Sequence, residues 1–206
     1  MRYRFLYLVA IFAGMIGTAV AEPSSPELQQ IKVRLSVPNK LQCDFRQTRQ
    51  IAALSRPLES QGTLTLDKTK GVIWAQTAPF AQTVVMTPKR IYQEVQGNSK
   101  TISEQEQPQL FHFTALMSDI FQGEWQALQP FFDLQPQPSK SPLWHLDLLP
   151  TAQPFNQIFN KISLSGDRTV QHIELDDKQN DTTRLVFSNC HELKQLSHAQ
   201  QQLLAD

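Results

Sequence analysis

The sequence lacks most of what marks an enzyme. It contains no H-E-x-x-H pair, no G-x-S-x-G elbow, no phosphate-binding loop and no spaced pair of carboxylates. The histidines, His112, His145, His172, His191 and His198, form no i, i+4 pair on a helix, so neither a zinc site nor a cofactor is expected. The run Glu174, Asp176, Asp177 reads as the exposed face and end of a strand rather than a calcium loop. No serine has a base placed beside it by the sequence, which leaves lipid hydrolysis as the least supported reading.

Charge of one sign is also missing, with 19 Lys and Arg against 19 Asp and Glu. That balance excludes the basic face a nucleic-acid partner requires, and it supplies no long-range pull toward anionic lipid. After the first 21 residues no run is apolar enough to span a bilayer. Cysteine is nearly absent as well. Only Cys43 and Cys190 occur, no C-x-x-C pair exists for thiol catalysis, and no cysteine follows the N-terminal apolar run to be acylated.

What is present begins with MRYRFLYLVAIFAGMIGTAVAEPSS. A basic head (Arg2, Arg4), an apolar run from Phe5 to Val20 and the small residues Ala19 and Ala21 read as a secretory signal peptide, residues 1–21, cleaved after Ala21. An uncleaved anchor is the alternative. Cleavage leaves 185 residues with 17 basic and 19 acidic side chains, enough for one domain (22–206) with one sizeable core. In an oxidising export compartment the even pair Cys43 and Cys190 suggests a disulfide, with two separate buried thiols as the alternative. The pair can meet only if an early strand and the last strand lie side by side, or if the chain after Phe187 folds across.

Ser25 predicts an N-cap and Pro26 a first helical position, with Leu28, Ile31 and Leu35 on one face. From Lys40 the period switches to two: Leu41, Cys43 and Phe45 alternate with Gln42, Asp44 and Arg46. Turn signals at Arg56-Pro57, Lys68 to Gly71, Ala78-Pro79, Thr87-Pro88 and Gly97-Asn98 then separate short Val-, Ile- and Thr-rich runs, which predict an antiparallel meander. Leu110, Phe113, Leu116 or Met117, and Ile120 or Phe121 recur at three and four, predicting a helix from Pro108 that Gly123 ends. A shorter helix follows through Trp125 and Leu128. Strands return from Trp144, and Ser197 with Gln200 has capping-box spacing for a terminal helix. With no βαβ alternation, the chain is expected to be α+β, built on one large curved antiparallel sheet.

The order of these features resembles the periplasmic carriers of outer-membrane lipoproteins: export signal, helix, F-x-Q (Phe45-Arg46-Gln47), G-x-L-x-L from Gly62, a basic turn, then Trp74. That resemblance implies an incomplete antiparallel β-barrel, a half-barrel of roughly ten to eleven strands, with a helical lid over a cavity for acyl chains. It also implies a monomer that shuttles acylated lipoprotein or other lipid cargo from an inner-membrane donor complex to an outer-membrane acceptor, with no catalytic residues. Phe45, Leu64, Leu66, Val72, Trp74, Met86, Met117 and Trp144 are the expected cavity residues, with Lys68 as a charge at the rim. Each apolar one serves equally well as ordinary core. Lys68 stands where the family carries an arginine, Thr69 where it carries proline, and Val72 where it carries phenylalanine. Lysine keeps the charge but gives up a rigid fork of donors. A relative carrying a different lipid, or an interaction protein with no accessible cavity, are the alternatives.

Overall fold

The computed structural model describes residues 25–139 and 141–205. The expected signal peptide lies outside the described residues. Among these described residues five helices and eleven strands follow in chain order. Helix α1 (Pro26–Arg34) starts as its sequence requires: the Ser25 hydroxyl accepts the Leu28 N–H at 3.2 Å, and Leu28 and Ile31 are its buried residues. It ends one turn earlier than the Pro38 signal suggests, with Leu35 extended.

Strands β1 (Lys40–Gln50), β2 (Leu58–Asp67), β3 (Gly71–Ala78), β4 (Gln82–Met86), β5 (Ile91–Val95) and β6 (Asn98–Ile102) form a meander of antiparallel neighbours. Then come α2 (Pro108–Gln122) and α3 (Trp125–Leu128), followed by β7 (Phe132–Gln137), β8 (Trp144–Pro150), α4 (Phe155–Ile158), β9 (Phe159–Gly166), β10 (Val170–Asp177) and β11 (Thr182–Glu192). Helix α5 (His198–Leu203) closes the chain with both halves of the Ser197/Gln200 capping box formed. Strand β7 and the single turn α4 have no counterpart in the sequence reading. Pro136 hides β7, because proline donates nothing to a ladder and is tolerated only at an edge, and β7 is an edge.

All eleven strands make one open sheet in the order β6-β5-β4-β3-β2-β1-β11-β10-β9-β8-β7. The first and last strands of the two meanders, β1 and β11, pair at its centre, with Phe45 opposite Phe187. The two free edges, β6 and β7, are consecutive in the chain. The connection between them must therefore cross the open side of the curved sheet, and that connection is α2 and α3. The lid helix is a consequence of strand order.

The main core fills the concave side, where Leu64, Leu66, Leu146, Leu148, Ile162 and Leu164 are 0–2 % exposed. Leu116, Ile120, Phe121 and Trp125 come down on it from the lid. A second, smaller core lies outside this one. Residues of the opposite parity, Ile73 and Val85, are buried with Leu196 and Leu204 because the C-terminal segment packs on the convex face of β2 to β5. The Gln200 amide donates to Gln42 Oε1 and to Thr65 Oγ1, both at 3.2 Å, which satisfies the polar groups this packing buries.

Candidate functional site

Helix α2 owes its length to Pro108 at its start and Gly123 at its end. Gly123 takes a left-handed φ of 73°, and the Glu124 N–H donates back to the Asp119 carbonyl at 2.9 Å. The helix spans the open side with a different cavity on each flank.

On one flank lies an apolar cavity of about 390 Å³. Leu64, Val72, Trp74 and Met86 form its sheet wall and Met117 projects from the lid, so five of the eight apolar positions marked in the sequence meet at one place. Its volume falls within the about 300–1,000 Å³ range of small-molecule sites. Gln47, Arg49, Asp177 and Thr183 make one end polar.

Behind the wall sits an aromatic stack. The Phe45 ring lies 3.8 Å from Trp74 at 30°, Phe187 meets Trp74 edge-on at 6.4 Å, and Phe121 meets Phe187 edge-on at 5.1 Å. Phe45 therefore supports the cavity through Trp74 and does not line it. Leu66, fully buried, is ordinary core. Trp144 also lies elsewhere: its indole N–H donates to the Asp167 carbonyl at 2.7 Å and its ring packs edge-on against Trp125 at 6.2 Å.

The sequence reading passes over Phe159, which lines the cavity and sits 6.2 Å from Phe113 of the lid. Strict alternation from Ile162 and Leu164 points Asn160 inward. A bulge intervenes: Asp176 pairs with Lys161 but Asp177 pairs with Phe159, and the Asn160 amide donates to the Asp177 carbonyl at 2.7 Å. The extra residue brings Phe159 onto the concave side.

On the other flank of α2 a cleft of about 400 Å³, largely apolar but with charged side chains on its walls, opens between the lid and the turns joining β2 to β3 and β4 to β5. Lys68 belongs to this cleft rather than to the apolar cavity. Its turn is held by Asp67, whose carboxylate accepts the Thr69 hydroxyl at 2.7 Å and the Thr69 N–H at 3.0 Å, with the Lys40 ammonium at 3.9 Å. Val72, Met86 and Thr114 border both spaces.

Cys43 and Cys190 are bonded, with Sγ atoms 2.07 Å apart. The early and last strands do lie side by side, and a bulge makes room. Between the pairs Gln42–His191 and Asp44–Ser188, Cys43 faces two residues, Asn189 and Cys190. Asn189 takes the left-handed φ of 51° that asparagine tolerates, and its amide donates to Asp44 Oδ2 at 2.7 Å.

The sequence profile of the outer membrane lipoprotein carrier protein LolA-like family matches residues 20–200. The chain belongs to that family. No curated protein matches this LolA-like chain. Among solved structures it is similar to a LolA superfamily protein from Nitrosomonas europaea, at 10% identity over 87% of this chain and 96% of that one, with a TM-score of 0.48. A domain from Vibrio parahaemolyticus assigned to outer membrane lipoprotein sorting is similar at 12% identity over 87% and 97%, TM-score 0.44. A chain of the Pseudomonas aeruginosa MucA/MucB complex is similar at 15% identity over 87% of this chain and 61% of that one, TM-score 0.38.

Proposed function

We propose that this LolA-like protein is a non-enzymatic carrier working outside the cytoplasm, in the periplasm. It takes the acyl chain of a lipoprotein or other lipid into the cavity beneath α2 and passes it from an inner-membrane donor to an outer-membrane acceptor. The observation that carries the reading is the apolar space under the lid, walled by Leu64, Val72, Trp74, Met86 and Met117. The disulfide fits an oxidising compartment.

Each buried methylene contributes about 0.8 kcal/mol, so ten of them supply about 8 kcal/mol, the free energy of micromolar binding before ordering costs. Such a fit is tight enough to hold a chain and loose enough to release it when the lid moves. Titration of the mature protein with a fluorescent fatty acid is expected to saturate at micromolar concentration or above. Met117→Trp, which fills the space from the lid side, is expected to weaken it at least about tenfold, roughly 1.4 kcal/mol. A flat titration under conditions where an established lipid carrier responds rejects the carrier reading.

A further inference from the structure

The two flanks of α2 differ in chemistry but share a border at Val72, Met86 and Thr114. At the polar end of the apolar cavity Arg49 already pairs with Asp181, and Asp177 already accepts the Gln179 and Asp181 N–H groups. It is therefore the cleft across the shared residues that offers a charged head group partners still to be engaged. The charges of that cleft are sorted by wall. Lys68 and Lys70, the cations, both stand on the β2–β3 turn; Glu104 and Asp119, the carboxylates, both stand on the lid segment. Among the described residues no ion pair joins the two walls.

Asp119 is half-buried, and its carboxylate has neither a hydrogen-bond nor an ion-pair partner among the described residues. Burial, and then the nearby Glu124, hold that carboxyl above the ordinary aspartate range. An arriving cation would lower the free energy of such a group, and an arriving anion would meet the two ammoniums opposite.

We propose that the cleft is the head-group compartment for a zwitterionic amphiphile, with the anionic group (a phosphodiester) set against Lys68 and Lys70 and the amine set against Asp119. The inference rests on the carrier reading and narrows its cargo. Neither wall alone recognises such a head. A phosphate without an amine forgoes the attraction to Asp119, and an uncharged head forgoes both attractions.

The test uses three probes with the same oleoyl tail below their micelle concentrations: lysophosphatidylethanolamine, lysophosphatidylglycerol and monooleoylglycerol. Displacement of a bound fluorescent fatty acid from the mature protein gives each affinity. The expected order places the zwitterion at least about tenfold ahead of the phosphatidylglycerol form, and that form ahead of the neutral lipid, tenfold being about 1.4 kcal/mol. Asp119→Asn is expected to erase the first difference alone, and the pair Lys68→Gln with Lys70→Gln the second alone. Monooleoylglycerol, whose head is uncharged, reads the tail cavity alone; its affinity should change less than about threefold in either variant, about 0.7 kcal/mol, and so reports that each variant is folded. Equal affinity for all three heads, with the fatty acid still bound, overturns the zwitterion inference and leaves the carrier reading standing. Failure of every probe, fatty acid included, overturns both.

Discussion

Asp67 is the residue on which the Lys68 turn depends. Its side chain is 2 % exposed, yet it accepts two hydrogen bonds from Thr69 and faces the Lys40 ammonium. Burial by itself pushes the carboxyl up. The Thr69 hydroxyl and N–H, Lys40 and the Lys70 N–H together outweigh it, and the group is held below its ordinary value. A carboxyl depressed in the folded state contributes stability that is fully present above the unfolded value of about 3.9 and is lost as pH falls through the folded one. Asp67→Asn is therefore expected to destabilise the protein by about 1–3 kcal/mol at pH 7, through weaker acceptance from Thr69 and loss of the ion pair. Thermal melts of wild type and variant should differ most at neutral pH and converge in acid, as pH falls through the lowered Asp67 value. A gap that persists unchanged into acid would assign the effect to packing instead of charge.

At the scale of elements, the sheet is held from both sides, and the outer side is where the sequence speaks least. Most of the strand order of the meanders, the lid helix from Pro108 to Gly123 and the capping box of α5 are legible from periodicity and turn chemistry, because each is a local decision. The docking of α5 is not. Ile73 and Val85 sit at positions whose alternation marks them as outward-facing, and their burial becomes explicable only once Leu196 and Leu204 are seen to cover them. Phe159 is illegible for a related reason, since one inserted residue in β9 reverses the parity on which the reading depends. Lys68 is legible as a rim charge, whereas which of two spaces it borders follows from where α2 lies.

Arg90 ties this outer layer to the β4–β5 turn. Its guanidinium donates to the Leu203 carbonyl at 3.0 Å and the Ala205 carbonyl at 2.6 Å, where α5 ends, and lies 5.9 Å from the Tyr92 ring. Leu204→Ala, removing a side chain 3 % exposed, is expected to destabilise by about 2–4 kcal/mol. Arg90→Ala is expected to release α5 with a smaller effect on the whole. Hydrogen exchange should find the α5 amides, above all those of Gln201 and Leu204, protected in the wild type and fast-exchanging in Arg90→Ala, while the β1–β11 amides keep their protection. Equal loss of protection in both places would mean that α5 and the sheet unfold as one unit.

The whole molecule is two meanders joined at one seam, and the apolar cavity draws on both: Val72, Trp74 and Met86 from the first, Phe159, Leu175 and Leu185 from the second. Nothing closes the sheet at its far edges, so the β1–β11 pairing carries the register between the halves, and the Cys43–Cys190 bond crosses that pairing. The two cysteines are 147 residues apart, a loop long enough for the cross-link to constrain the unfolded chain by at most about 5 kcal/mol. Neither cysteine lines the cavity, although Cys43 pairs across the strands with Leu64 of its wall, so the bond acts chiefly on the population of the folded state. Cys43→Ala with Cys190→Ala is accordingly expected to lower the melting temperature by about 5–15 °C, taking about 2–4 °C per kcal/mol for a domain of this size. Fatty-acyl affinity, measured well below that lower melting temperature, should stay within about twofold of wild type, about 0.4 kcal/mol. A large loss of affinity in a protein that is still folded would show that the seam shifts register when the bond is absent, because a slip there moves Phe45 off Phe187 and takes Trp74 with it.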